Sequence, residues 1–112
     1  QDVAPTLDLD VSKLNWKSFL EGAENWVDGT TMRQRAVVLK GNYGLSDVPK
    51  FLAQQAKIPA DVQYIVLTGT VLRGPGGGLR VPYLYRYGVR WVLSFCWLGG
   101  DWDSDGRVAC SE

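Results

Sequence analysis

The sequence contains no histidine among its 112 residues. Histidine is the side chain most often used as a general base and as a metal ligand near neutral pH. Serines are present, but without histidine their usual activation as nucleophiles is missing. We therefore expect a protein that is not an enzyme and that carries no cofactor.

Net charge and long apolar runs are also absent. Twelve basic residues balance twelve acidic ones, which argues against nucleic-acid binding and against a polybasic membrane anchor. No stretch approaches the roughly 18 consecutive apolar residues of a transmembrane helix. The chain is nevertheless 46% hydrophobic and 12% aromatic, and this composition predicts a folded globular protein rather than a disordered one.

Cysteine is scarce, with Cys96 and Cys110 as the only two. We interpret the segments 93–98 and 107–111 as the arms of a hairpin centred on Asp103. This pairing sets the two cysteines opposite each other, within reach of a disulfide. The alternative is two buried free thiols in a cytosolic protein.

The disulfide and the first residue together bear on location. Disulfides persist in oxidising compartments, and the chain begins with Gln1 rather than methionine, as it would after removal of a signal peptide. A chain cut from a longer sequence at an arbitrary position could also begin with glutamine. We expect a secreted or periplasmic protein.

Apolar periodicity predicts the secondary structure. The predicted elements are, in chain order, helix 12–29, strand 35–40, helix 46–59, strand 63–73 and a long β run over 79–98. Twenty residues are too many for one straight strand, so we expect a bend at Gly88. A two-residue turn at Gly88 and Val89 is the alternative.

These elements predict an α+β fold. Two helices pack on one face of a bent antiparallel sheet of four to five strands, and the disulfide closes the last hairpin. Residues 1–11 form an N-terminal arm, and residues 12–112 form a single globular domain.

The last twelve residues, DWDSDGRVACSE, match the spacing of a calcium-binding EF-hand loop. Asp101, Asp103 and Asp105 take the first three acidic positions, and Gly106 and Glu112 take the glycine and closing acidic positions. A β-type run rather than a helix leads into the stretch, and aspartate, serine and glycine are ordinary turn residues. We therefore predict a solvated hairpin loop, with a calcium site on the three aspartates as the alternative.

The long β run carries two further groups of candidate binding residues. Its odd positions are rich in aromatic residues, and we expect this face to be core except near the bend, where an aromatic platform for sugars or bases is the alternative. The tyrosines expected to stay accessible are Tyr83, Tyr85 and Tyr87. Its even positions carry a basic strip, formed by Arg80, Arg86 and Arg90, which we interpret as a solvated sheet face, with a site for an acidic partner as the alternative.

The resulting hypothesis is a small, secreted or periplasmic, non-enzymatic binding protein. An inhibitor, an immunity-type factor and an envelope-associated protein all fit this description, with a protein or an envelope component as the partner. One alternative is a calcium-stabilised structural or adhesion module. A second alternative is a carboxylate-dependent glycan hydrolase.

Overall fold

The computed structural model describes residues 9–41, 43–74 and 76–111. Their helices are α1 (Gly29–Val38) and α2 (Val48–Ala53). Their strands are β1 (Asn15–Lys17), β2 (Trp26–Asp28), β3 (Tyr64–Val66), β4 (Leu72–Arg73), β5 (Leu79–Tyr87), β6 (Arg90–Trp97), β7 (Asp101–Asp103) and β8 (Gly106–Cys110). This mixture of helix and sheet confirms the α+β class. Across the described part of the chain, no helix is long and apolar enough to cross a membrane.

Six of these strands form one mixed sheet. β1, β8, β3 and β5 lie side by side in that order, and β4 and β6 also pair with β5. Tyr83 of β5 pairs with Val66 of β3 and with Ser94 of β6, so β6 lies on the edge of β5 opposite β3. β3 and β8 run parallel, whereas the prediction was a smaller and wholly antiparallel sheet. β2 and β7 form a separate two-stranded ribbon.

The sheet is buried on both faces. Successive side chains of a strand point to opposite faces, and on β3 Ile65 belongs to one hydrophobic cluster and Val66 to the other. The first cluster contains Phe51 of α2, and the second contains Met32 of α1. The helices therefore pack on opposite faces of the sheet, and the prediction that both lie on one face was wrong.

The segment 12–29 is not a helix. Trp16 lies on β1, where it pairs with Ala109 of β8 and packs against the first cluster. Phe19 is buried in the second cluster, and Trp26 on β2 is exposed. Helical spacing had placed these aromatic residues on one face. Pairing with β8 instead distributes them between both faces of the sheet and solvent.

The segment 35–40 forms most of the second half of α1 and the residues after it. Asp28 caps the helix, because its side chain accepts a backbone hydrogen bond from the first turn at 2.8 Å. Met32 and Ala36, four residues apart, are fully buried, whereas Val38 is exposed. The strand prediction was wrong because the β-branched residues that suggested it lie on the solvent side of a helix.

The next two elements are confirmed in part. The helix predicted over 46–59 contains α2, with Pro49 in its first turn as expected, but 3-10 turns at Leu45–Asp47 and Gln55–Lys57 flank it. The strand predicted over 63–73 is interrupted between β3 and β4, where a turn brings the N–H of Thr70 to a backbone carbonyl.

β5 and β6 are the arms of a hairpin. Tyr87 and Arg90 are its last pair, so Gly88 and Val89 form a two-residue turn. Gly88 has a φ of 63°, the left-handed conformation that such turns require and that glycine adopts without strain. The predicted bend was wrong, and the alternative of a two-residue turn is confirmed.

The end of the chain does not form the predicted hairpin. β7 pairs with β2, and β8 lies between β1 and β3. Cys110 therefore lies opposite Asn15, and Cys96 lies opposite Val81. Both cysteines are free thiols, so the disulfide is not confirmed. Cys110 is completely buried, and burial raises the pKa of its thiol.

The N-terminal arm is described only from residue 9, and residues 1–8 lie outside the described residues. Leu9 and Val11 are buried in the first cluster. The side chain of Gln54 fixes this segment, because its Oε1 accepts from the N–H of Val11 at 2.9 Å and its Nε2 donates to the carbonyl of Leu9 at 3.0 Å. This end of the predicted arm is thus part of the core.

Candidate functional site

A cleft of about 260 Å³ opens between the sheet and the β2–β7 ribbon. Its walls combine residues from both groups that the sequence singled out, a tyrosine of the β run and two aspartates of the last loop. We call it the acidic cleft. The lining residues are Tyr64, Tyr83, Cys96, Asp101, Trp102 and Asp103.

Strand register brings the aromatic walls together. Tyr64 pairs with Tyr85, and Val66 pairs with Tyr83, so both tyrosines of the cleft lie on the same face of the sheet. The rings of Tyr64 and Tyr83 are 6.0 Å apart at 78°, an edge-to-face contact. Such contacts stabilise aromatic pairs beyond the burial of their surface, and they hold the wall in place.

Trp102 joins the aromatic wall to the core. Its ring lies 6.3 Å from Tyr64 and 6.4 Å from Tyr83, and the residue is only 3% exposed. Because side chains alternate along a strand, Asp101 and Asp103 point to the other side of β7, and both are exposed. The strand thus presents two carboxylates beside a buried indole.

The hydroxyl of Tyr64 anchors Asp103. It accepts from the N–H of Asp103 at 3.0 Å and lies 3.2 Å from Oδ1, to which it donates. The same Oδ1 also accepts from the N–H of Asp105 at 3.1 Å. Burial is the main cause that raises the pKa of Tyr64 well above its ordinary value, with the nearby carboxylates contributing. Tyr64 therefore remains a neutral hydrogen-bonding group.

Gly106 leaves the space that Tyr64 occupies. A Cβ at this position would lie 2.4 Å from two ring carbons of Tyr64 and 2.7 Å from its hydroxyl oxygen. These distances are too short for any side chain unless the ring moves. The glycine that resembled the turn residue of a calcium loop is therefore required here for packing.

The two carboxylates at the rim are available for a ligand. Among the described residues, Asp101 makes no ion pair or side-chain hydrogen bond, and Oδ2 of Asp103 accepts none. None of the residues that line the cleft is basic. The cleft therefore combines uncompensated negative charge with the partly exposed ring of Tyr83.

The third aspartate does not complete a metal site. Asp105 lies in the turn before β8 and does not line the acidic cleft. Within residues 9–41, 43–74 and 76–111, no group of three or more carboxylate or thiol side chains is placed to hold a metal ion. Calcium binding by Asp101, Asp103 and Asp105 stays a hypothesis from the sequence.

The three predicted tyrosines continue from the cleft along β5. Tyr83 and Tyr85 are partly buried and stack at 5.7 Å with an angle of 35° between their planes. Tyr87 is 63% exposed beside the hairpin turn, and it lies opposite Arg90. These residues share one face of the sheet, so an accessible aromatic row leads from the acidic cleft to the tip of the hairpin.

The three predicted arginines do not form one strip. Arg80 and Arg86 lie on the opposite face of the sheet, where their guanidinium groups stack 4.3 Å from the ring of Trp97 and 4.6 Å from that of Trp91. Arg86 also donates to two backbone carbonyls. Arg90 lies beyond the two-residue turn and shares the face of the tyrosine row. Two of the three therefore stabilise the fold.

The sequence reasoning missed Tyr64, Cys96 and Trp102 as lining residues. Trp102 carried a usable signal, since it lies between two aspartates in the motif DWD and alternation puts it on the core side of a strand. Tyr64 carried none, because its place in the cleft depends on the pairing of β3 with β5 and on the chain returning at Asp103.

A larger apolar groove of about 340 Å³ lies between residues 18–21 and α1. Its one basic group, Arg35, is already bound to Glu24 at 2.6 Å and to Glu21 at 3.5 Å. The acidic groups beside this groove are therefore compensated by Arg35, whereas no basic residue lines the acidic cleft.

Comparisons with known proteins found no matching family model, no matching curated protein and no matching solved structure. The function must therefore be inferred from the site itself.

Proposed function

We propose that this protein is a non-enzymatic binding domain whose acidic cleft takes a lysine or arginine side chain of a partner protein. The observation that carries the proposal is the pair of open carboxylates, Asp101 and Asp103, at the rim of a cleft that the partly exposed ring of Tyr83 also lines. A basic side chain would gain charge-assisted hydrogen bonds from the carboxylates and cation–π attraction from an aromatic face.

The size of the cleft supports a side chain rather than a whole small molecule. Pockets for small molecules usually enclose roughly 300–1,000 Å³, and the acidic cleft is slightly smaller at about 260 Å³. It is also open to solvent along the exposed aspartates. A residue projecting from a protein surface fits these dimensions.

The tyrosine row extends the contact surface beyond the cleft. Tyrosine is enriched at protein interfaces because it presents a large apolar area together with a polar tip. Tyr85 and Tyr87 lie between the cleft and the hairpin turn, where they would contact the partner around the bound basic side chain. Arg90 at the tip would then meet an acidic group of the partner.

Hydrolysis is a weaker proposal. A carboxylic acid that donates a proton near neutral pH is normally held in an apolar, desolvated environment. Asp101 and Asp103 are both exposed, and so they suit charge recognition better. A secreted or periplasmic location stays a prediction from the sequence, since the disulfide that favoured it is not confirmed.

The test uses two short peptides that differ in one residue, arginine or glutamine, titrated into isotopically labelled protein. We expect the arginine peptide to shift the indole N–H resonance of Trp102 and the amide resonances of β7. Replacing Asp101→Asn or Asp103→Asn should weaken binding by about 1 kcal/mol each, roughly fivefold in Kd. Added salt should weaken it further.

Asp61→Asn is the matched control, because Asp61 is an exposed aspartate that does not line the acidic cleft. This variant should bind the arginine peptide as the unmodified protein does. Equal shifts with the glutamine peptide, or unchanged binding in both cleft variants, would overturn the proposal.

A further inference from the structure

The outer edge of β6 is open. β6 pairs with β5 along its whole length, from Arg90 to Trp97, and no other described strand pairs with it. An edge strand presents a row of backbone N–H and C=O groups that another strand can use.

The hydrogen bonds define the outward groups. The N–H of Leu98 donates to the carbonyl of Leu79 at 2.8 Å, so the even-numbered residues before it direct their backbone groups toward β5 and the odd-numbered ones direct theirs outward. Trp91 confirms this alternation, because its N–H donates to Oε1 of Gln55 at 3.1 Å rather than to β5.

The open part of the edge has two ends. Gln55 occupies the N–H of Trp91, and the N–H of Gly100 donates to the carbonyl of Trp97 at 3.1 Å. Between these ends, the N–H and C=O groups of Leu93 and Phe95 have no hydrogen-bond partner among the described residues. The N–H of Trp97 also points outward.

The usual protections of an edge are missing here. Edge strands are commonly guarded by charged residues, proline or a bulge, but the sequence from Trp91 to Trp97 is WVLSFCW, without charge or proline. Phe95 and Trp97 are 41% and 49% exposed at this edge. The whole chain also carries no net charge, and so two copies do not repel each other overall.

We propose that two copies of this chain pair antiparallel through the outer edges of β6, about a two-fold axis at Phe95. In this register, Phe95 of each copy faces Phe95 of the other, and Leu93 faces Trp97. The open backbone groups of Leu93 and Phe95 and the N–H of Trp97 then all find partners, and the carbonyl of Trp97, which already accepts from Gly100, uses its second lone pair. Centring the pair on Ser94 would use only Leu93 and Phe95, because the next pair would need the N–H of Trp91 that Gln55 already holds.

Self-pairing is favoured over another occupant by the edge itself. The neutral strand meets no like charge when it pairs with its own copy. The two Phe95 side chains face each other across the axis, and Trp97 of each copy faces Leu93 of the other on the same face of the joined sheets. The exposed parts of Phe95 and Trp97 amount to roughly 200 Å² per chain. This is well below the roughly 800 Å² per partner of a stable interface, so the dimer is weak and forms at high concentration.

Sedimentation velocity between about 10 µM and about 1 mM tests the proposal. We expect the sedimentation coefficient of the unmodified protein to rise with concentration. Phe95→Lys and Phe95→Glu should each remain monomeric, because each places like charges on both sides of the axis. An equimolar mixture of the two variants should associate again, since the charges are then opposite.

Two controls separate this edge from other surfaces. Val38→Lys also introduces a lysine at an exposed apolar position, 79% exposed on α1, and should associate like the unmodified protein. Asp61→Asn, an exposed position that lies neither in the acidic cleft nor on β6, should also associate normally. A protein that stays monomeric at about 1 mM, or a Phe95→Lys variant that associates undiminished, would overturn the proposal. Circular dichroism verifies that each variant is folded.

Discussion

Replacing Tyr64→Phe removes one hydroxyl from the wall of the acidic cleft and leaves the ring in place. The hydroxyl accepts from the N–H of Asp103 at 3.0 Å and donates to its carboxylate at 3.2 Å. A hydrogen bond contributes about 0.5–1.5 kcal/mol to stability, and more when one partner is charged. Because Asp103 is exposed and water replaces part of what is lost, we expect a total loss of about 1–2 kcal/mol.

In a chain of 112 residues, each kcal/mol corresponds to about 4 °C in Tm. Thermal unfolding at pH 7 should therefore show a decrease of roughly 4–8 °C, and denaturant unfolding should show a lower midpoint with an unchanged slope. Tyr87→Phe is the matched control. It removes the same atom from a 63% exposed residue, and its Tm should stay within about 2 °C.

The same substitution predicts a change at high pH. Burial raises the pKa of Tyr64 above its ordinary value of 10.0, so the folded protein keeps a proton that the unfolded chain loses. Stability from this group is fully present below about pH 10 and is lost as the pH rises above that value. Tyr64→Phe should therefore lose stability less steeply above pH 10, with a remaining slope from Tyr43, whose pKa is also raised by burial.

One combined result would refute this reasoning. If Tyr64→Phe matches Tyr87→Phe in Tm at pH 7 and matches the unmodified protein in its pH dependence above 10, the hydroxyl of Tyr64 is not bonded to Asp103. The acidic cleft would then lack the anchor that holds one of its two carboxylates in place.

Three further predictions concern packing, calcium and the thiols. Gly29→Ala would place a Cβ against the backbone carbonyl oxygen of Leu98, far inside van der Waals contact, so it should cost at least about 3 kcal/mol in denaturant unfolding. Gly76→Ala would meet no described residue within 4 Å apart from its chain neighbours, so it should change stability by less than about 0.5 kcal/mol. Thermal unfolding should give the same Tm in EDTA and in millimolar calcium; a calcium-specific increase that Asp103→Ala abolishes would instead support the calcium module. A thiol reagent should label the partly exposed Cys96 in the folded protein and Cys110 only after unfolding. If neither cysteine is labelled and the intact mass is lower by two hydrogens, the two cysteines form a disulfide after all.

The α+β class could be predicted from the sequence because it depends on local patterns that survive in the structure. Alternation over 79–98 does mark strands, and Pro49 does lie in the first turn of a helix. The helix prediction for the segment 12–29 was wrong for a physical reason. Its aromatic spacing fits a helix equally well, and only the arrival of β8 from the far end of the chain makes β1 the better structure. Tertiary pairing of this kind overrides local propensity.

In the candidate site, too, local features could be predicted from the sequence and long-range pairing could not. The tyrosine row and the acidic DWD motif could each be found from composition and alternation. Their meeting in one cleft could not, because it depends on β7 leaving the sheet to pair with β2. The predicted arginine strip is wrong because of a single turn. The two residues Gly88 and Val89 reverse which sequence positions point to which face of the sheet, so Arg90 lies on the opposite face from Arg86.

The central position of β8 has a consequence for how this protein is made. β8 lies between β1 and β3 and completes the sheet. Asn15 of β1 lies near the start of the described chain, and it cannot pair until Cys110 of β8 has been synthesised. The sheet therefore cannot close until Gly106–Cys110 have been synthesised and have left the ribosome. Such long-range pairing slows folding and leaves the edges of β1 and β3 exposed to aggregation in the meantime, so yield in the cell should respond to chaperones more than to local helix or turn propensity.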